Sequence, residues 1–415
     1  MEKIESHKHE NLESFYGLGI APRLLGILDQ LGFKKPTPIQ SQAIPLAIQG
    51  KDIVGIAQTG TGKTLAFGIP MLQILPQIKG QGLIVLPTRE LALQVDEALV
   101  KVGRTLGLKT AVLIGGLSMV NQKRAILAKP DIIIVTPGRL IDHLNQKSVH
   151  LNDVKILILD EADRMFDMGF APQIRRILTS VPKERQTMLF SATMPAEIMR
   201  MAATHMKLPL RIEIAPAGAT ADRVTQEIFV VQNIQKFSLL HKLLESYLGS
   251  TLIFTRTKHG AKKIVRQLRA VGVSTAEIHS NRSLAQRREA LEGFKSGKYR
   301  TLIATDIMAR GIDVNGIELV VNYDLPSTPD DYVHRIGRTA RAGASGHAIT
   351  FAMPDEAREI RSIERLIKQV LPISKLPDLP AIAPVMATPF LQNLPRSNPT
   401  SSSRARQSRH FGPRR

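Results

Sequence analysis

At 415 residues the chain is longer than one hydrophobic core ordinarily serves, which points to two or three domains. It has no cysteine, so disulfide frameworks, thiolate-bound zinc and thiol nucleophiles are excluded together. Lys and Arg outnumber Asp and Glu by 56 to 36, and the formal charge of +20 favours a polyanion, nucleic acid first, as partner. The polar N-terminus lacks a signal-peptide core, and no segment approaches the roughly 18 uninterrupted apolar residues of a membrane span, so a soluble, cytoplasmic, monomeric protein with no membrane partner is expected.

Residues 1–13 are polar and are expected to be flexible. From Leu18 to Leu31 apolar residues recur at helical spacing, with Pro22 in a first turn where proline is tolerated. Gly32 to Gln40 breaks that helix with Pro36 and Pro38, and Thr37 is placed to cap the next one. Asp52 to Ala57 reads as a strand and leads into Ala57-Gln58-Thr59-Gly60-Thr61-Gly62-Lys63-Thr64. Apart from Ala57 where the general pattern has Gly, this is a phosphate-binding loop. Its small residues let backbone N–H groups approach phosphate oxygens, a helix N-terminus follows, Lys63 can neutralise charge and the Thr64 hydroxyl can ligate Mg²⁺.

Strand and helix signals then alternate, with strands expected at Leu83 to Leu86, Thr110 to Ile114, Asp131 to Val135, Lys155 to Leu159 and Thr187 to Phe190. This is the pattern of a doubly wound parallel sheet, in which ligands collect past the carboxyl ends of the strands. Past those ends lie Pro87 to Ala92, Gly115-Gly116, Thr136 to Arg139, Asp160-Glu161-Ala162-Asp163 and Ser191-Ala192-Thr193. Taken singly, these segments also suit ordinary turns, and the acids suit a solvated helix start. Together they assemble hydroxyls, glycines, arginines and carboxylates where a nucleotide and a phosphodiester backbone would lie.

A Pro- and Gly-bearing linker follows from Glu213 to Asp222, and the alternation resumes with six strands from Val224 to Phe351. The second half has no phosphate loop. Instead it carries Thr305 to Asp313 and His334-Arg335-Ile336-Gly337-Arg338-Thr339-Ala340-Arg341, where three arginines and a histidine occur without an acid. A nucleotide held by the first half and arginines offered by the second would make an ATPase across an interface. From about Leu371 prolines, serines and arginines predict a disordered basic tail, read as a phosphate-attracting segment or a docking site for ribosomal or RNA-degradation proteins.

In order, these segments resemble the DEAD-box RNA helicases of superfamily 2 over roughly residues 14 to 370, and the short basic tail is similar to the bacterial RhlE-type branch. The family's loop ordinarily starts with Ala, as Ala57 does here. The resemblance implies two tandem RecA-like α/β domains, each a parallel sheet covered by helices on both faces, at 14–214 and 223–370, joined by a linker at 215–222 and followed by a tail at 371–415. It also implies ATP with Mg²⁺, RNA gripped by its sugar-phosphate backbone irrespective of sequence, and local opening of short duplexes. Phe15 and Gln40 would recognise adenine. Gln58, Thr59, Gly60, Thr61, Gly62, Lys63 and Thr64 would hold phosphates, Thr64 and Asp160 the metal, and Asp313 the ribose. Glu161 would orient and deprotonate the attacking water, with Arg338 and Arg341 as arginine fingers. Ser191, Thr193, Asp163 and His334 would couple hydrolysis to strand separation, and RNA contacts would fall on Arg89, Gly116, Thr136, Arg139, Arg287, Thr305 and Arg310. Leu284 departs from the pattern, standing where a Gln often accompanies Arg287; Met308 and Ala340 are milder departures. A DNA translocase and a non-catalytic RNA clamp are the rival readings.

Overall fold

A computed structural model describes residues 14–58, 60–214, 224–306, 314, 316–339 and 346–379. All of them fall in one compact unit, which ends at Leu379. Within it are two parallel sheets. The first has β1 (Ile53–Ile56), β2 (Gln81–Val85), β3 (Thr110–Leu113), β4 (Ile132–Val135), β5 (Val154–Leu159), β6 (Gln186–Ser191) and β7 (Leu210–Glu213), in the order β3-β4-β2-β5-β6-β1-β7. The second has β8 (Val224–Val230), β9 (Thr251–Phe254), β10 (Thr275–Ile278), β11 (Thr301–Ala304), β12 (Leu319–Asn322) and β13 (Gly346–Ala352), in the order β10-β11-β9-β12-β13-β8.

The central strands are predominantly apolar because each face of the sheet is covered by helices. Alternate residues enter different cores: Ile132, Ile134, Ile156 and Ile158 join one cluster, whereas Ile133, Val135, Leu157 and Leu159 join the other. The second sheet divides its apolar residues in the same way. Two α/β domains are therefore present, as the alternation of strand and helix signals predicts.

Three local features differ from the sequence-based expectations. The first helix runs Pro22–Gln30 rather than from Leu18, because Gly17 and Gly19 adopt φ of 93° and 79° and interrupt any regular turn before it. Glu213 ends edge strand β7, paired with Ile56, instead of opening the linker; a four-residue, partly exposed edge strand carries too little alternation to be read. Residues 371–379 are ordered, not part of a disordered tail. Leu371 is buried, Ile373 bridges to Ile228, and Leu376 and Leu379 pack on the second domain's core. The expected N-terminal segment 1–13, nearly all of the linker and the chain beyond Leu379 lie outside the described residues.

Candidate functional site

The strand order gathers the chemistry. β5, β6 and β1 are neighbours, so the acidic stretch, the Ser191 turn and the phosphate loop emerge side by side, and the Ala57 amide donates to the Ser191 carbonyl at 2.9 Å. Gly60 and Gly62 take left-handed φ of 88° and 90°, which turn the loop into the helix Lys63–Ile74. The Gln40 amide packs directly on Gly62: its Nε2 donates to the Gly62 carbonyl at 3.0 Å while its Oε1 accepts from the Thr37 amide at 2.9 Å. A side chain at Gly62 would collide with that amide. The Thr61 hydroxyl donates to the Gln58 carbonyl at 2.7 Å, Thr64 is half-buried in the first turn, and Phe15 is buried in the core cluster with Ile39 and Ile44. Thr59 lies outside the described residues.

Lys63 is 6% exposed; its Nζ donates to the Ala57 carbonyl at 3.0 Å and lies 3.8 Å from Asp160 Oδ1. Burial pushes the Asp160 carboxyl up to about 6, helped by the charge of Glu161 and opposed by Lys63. Glu161 behaves in the opposite way. Burial alone would raise it, but Arg164, Lys63 and Arg338 together hold it at about 2. Arg164 Nη1 donates to Glu161 Oε2 at 2.9 Å. This partner sits three residues on, but Glu161 precedes the helix Ala162–Asp167 rather than lying in it, so the spacing alone does not set the pair. Glu161 also adopts φ 52°, ψ 52°, a left-handed conformation that costs a non-glycine residue about 1 kcal/mol or more.

Asp163 ties two turns together. Its Oδ2 accepts from the Ala192 and Thr193 amides at 3.0 and 2.8 Å and from the Thr193 hydroxyl at 3.1 Å, while its own amide donates to Ser191 Oγ at 3.0 Å. The second domain closes this site. Its helix Pro329–Ile336 and the following turn bring His334 and Arg338 to a small cavity shared with Lys63, Glu161, Asp163 and Arg164. Arg338 is buried, its Nε donating to the His334 carbonyl at 3.2 Å. The arginines of this segment divide. Arg335 turns inward, donating to Asp306 at 2.8 Å and stacking 5.1 Å from the Phe254 ring, so it holds the second domain together rather than facing the cavity. Arg341 and Asp313 lie outside the described residues.

The other half of the first sheet, β3-β4-β2, gathers the second group. Thr88, Arg89, Gly116, Thr136, Arg139 and, from the second domain, Arg287 line one cavity of about 470 Å³. The Arg89 guanidinium lies over Gly115 and Gly116, so close that a Cβ on Gly115 would sit 2.9 Å from Nη2. Arg139 donates to the Leu117 carbonyl at 3.2 Å, and Arg287 Nη1 lies 3.0 Å from Glu90 Oε1. Neither Glu90 nor the packing of Leu284 against the first domain's core was visible in the sequence, since both depend on how the domains meet. Thr305 sits half-buried at the end of β11, and Arg310 lies outside the described residues.

Residues 37–201 match the DEAD/DEAH box helicase family, and residues 235–343 match the helicase conserved C-terminal domain. The chain belongs to the DEAD-box family. This DEAD-box protein is 42% identical over 364 residues to the ATP-dependent rRNA helicase RRP3 of Debaryomyces hansenii, an alignment covering 87% of this chain and 76% of that one. It is also 42% identical over 369 residues to the DEAD-box ATP-dependent RNA helicase CshA of Bacillus subtilis, covering 88% and 75% respectively. Among solved structures it is similar to S. cerevisiae Dbp5 bound to RNA and ADP BeF3, with a TM-score of 0.79, 31% identity, and coverage of 87% of this chain and 95% of that one. The two α/β domains are thus the tandem RecA-like pair of this family.

Proposed function

We propose that this DEAD-box protein is an RNA-stimulated ATPase that opens short RNA duplexes locally, or remodels ribonucleoprotein, gripping the backbone rather than base edges. One observation carries the reading: Arg338 of the second domain and Lys63 and Glu161 of the first line one cavity, while Arg287 and Arg89 line another. Both clefts therefore draw residues from both domains, so a nucleotide in one and a polyanion in the other would favour the same closed arrangement.

In this reading Gln40 and Phe15 serve the adenine, and the loop from Gln58 to Thr64 serves the phosphates. Lys63 and Arg338 stabilise charge on the terminal phosphate as its bond breaks. Glu161 is held ionised by Arg164, so its role is to accept a hydrogen bond from the attacking water and aim it, more than to act as a strong base. The network of Asp163 with Ser191 and Thr193, and His334 beside it, links that event to the second domain. Asp313 would serve the ribose and Arg341 would join Arg338. Among the described residues no group of three or more His, Cys, Asp or Glu could cage a metal unaided. A buried carboxylate beside a hydroxyl is instead what magnesium uses when phosphate and water supply its remaining oxygens. Asp160, buried 3.8 Å from Lys63 Nζ, and Thr64, the residue that follows Lys63, supply the carboxylate and the hydroxyl and would hold the ion, which when bound neutralises phosphate charge. Arg89, Gly116, Thr136, Arg139, Arg287, Thr305 and Arg310 would meet RNA phosphate and sugar, where 2′-hydroxyls distinguish RNA from DNA.

Glu161→Gln is expected to retain ATP and RNA binding while kcat falls on the order of 10²- to 10⁴-fold. Loss of ATP affinity in its place would contradict the assignment. ATPase stimulation by matched RNA and DNA oligonucleotides tests the substrate: equal stimulation would remove the RNA claim and favour a DNA translocase.

A further inference from the structure

The helix Lys258–Ala270, which follows β9, has the sequence KHGAKKIVRQLRA and contains no acid. Ala261, Ile264, Val265 and Leu268 are buried in the second domain's core. At 3.6 residues per turn, Lys258, His259, Lys262, Lys263, Arg266 and Arg269 fall within about 140° of the opposite face and extend over about 16 Å. Several exposed cations elsewhere in this domain are neutralised by carboxylates: Arg288 pairs with Glu292, Lys298 with Glu289 and Lys242 with Glu245. Among the described residues, no carboxylate pairs with Lys262, Lys263 or Arg266, all of which are exposed. Maintaining adjacent like charges on a helix costs stability, and no pairing within the helix offsets it.

The stripe also continues from a cleft already described. Lys258 Nζ donates to Asn281 Oδ1 at 3.2 Å, and the next residue back, Ser280, lines the cavity that contains Arg89, Arg139 and Arg287. A polyanionic strand leaving the cavity past Ser280 meets Lys258 first and then the row of Lys262, Lys263 and Arg266. We infer that the exposed face of this helix is an auxiliary phosphate track, which binds single-stranded RNA running out of the cleft. The inference rests on RNA being the ligand of that cleft.

The test uses the full chain and two oligouridylates, one short enough to fill only the cleft and one about twice as long, titrated across a salt series. Combined Lys262→Glu, Lys263→Glu and Arg266→Glu substitutions are expected to leave short-RNA affinity, and kcat at saturating short RNA, unchanged. For the longer RNA the slope of log affinity against log salt should fall by about 0.7 for each phosphate no longer neutralised, up to about 2. The matching Gln substitutions should give the same direction with a smaller drop in affinity, and circular dichroism melts check that both variants fold. An unchanged slope for the longer RNA overturns the inference, including the case in which the face docks an acidic protein. Failure of the unsubstituted chain to bind even the short RNA would instead overturn the proposed function.

Discussion

Asp163 joins the acidic stretch to the Ser191 turn through one carboxylate oxygen with three donors. Removing it leaves the part-buried Ala192 and Thr193 amides to be satisfied by water, which costs less than the roughly 1 to 3 kcal/mol of a fully buried unpaired group. Asp163→Ala is therefore expected to lower the first domain's stability by about 1 to 2 kcal/mol, read as a lower urea midpoint. An unchanged midpoint would mean that the turn keeps its shape unaided. Glu161 shows the limit of reading residues singly. That a carboxylate follows β5 is plain in the sequence, but its left-handed backbone and its ion pair with Arg164 are set by the packing around it.

At the scale of elements, the helix Pro137–Asn145 supports the turn that carries Gly116. His143, fully buried in that helix, lies 3.2 Å from Gln122 Oε1 through its Nε2, and Gln122 Nε2 in turn donates to the Ile114 carbonyl at 3.0 Å. Burial, with the charges of Arg139 and Lys123 and against that of Asp142, holds His143 below its ordinary value of 6.5. The unfolded chain therefore takes up the proton more readily, so this contribution to stability is complete above 6.5 and is lost as the pH falls below it. Melting curves across that range should show a shallower acid loss for His143→Gln than for the unsubstituted chain. Identical profiles would place the acid sensitivity elsewhere. The motif residues at strand ends were legible because each ends an apolar run, whereas this supporting network was not, since a lone His and Gln carry no pattern.

For the whole molecule, the two domains meet at the second cavity through a short seam. Arg287 meets Glu90, and Leu284 packs against the first domain's core at a position where the family often has Gln. Replacing a partly buried Leu by a polar side chain forfeits about 1 kcal/mol of apolar burial. If closure draws on that packing, Leu284→Gln should weaken RNA binding in the presence of a non-hydrolysable ATP analogue about fivefold, with little change in its absence. An equal weakening in both conditions would show that Leu284 touches RNA or the fold rather than closure. In the sequence Leu284 is only a missing polar group beside Arg287, and its packing partner in the other domain cannot be seen there.

By itself the sequence determined the class of fold and the inventory of chemistry. Buried parallel strands must be apolar on both faces, and a phosphate loop must pair small residues with a lysine at a helix start, so both leave local patterns. The tertiary structure decided which of these residues meet. The strand order puts β5, β6 and β1 on one side of the β2–β5 pairing and β3, β4 and β2 on the other, and so separates the cavity at Lys63 and Glu161 from the cavity at Arg89 and Arg139. It also turns Arg335 into the core while Arg338 faces Glu161. These outcomes depend on contacts between residues far apart in the chain, and no local spacing encodes them.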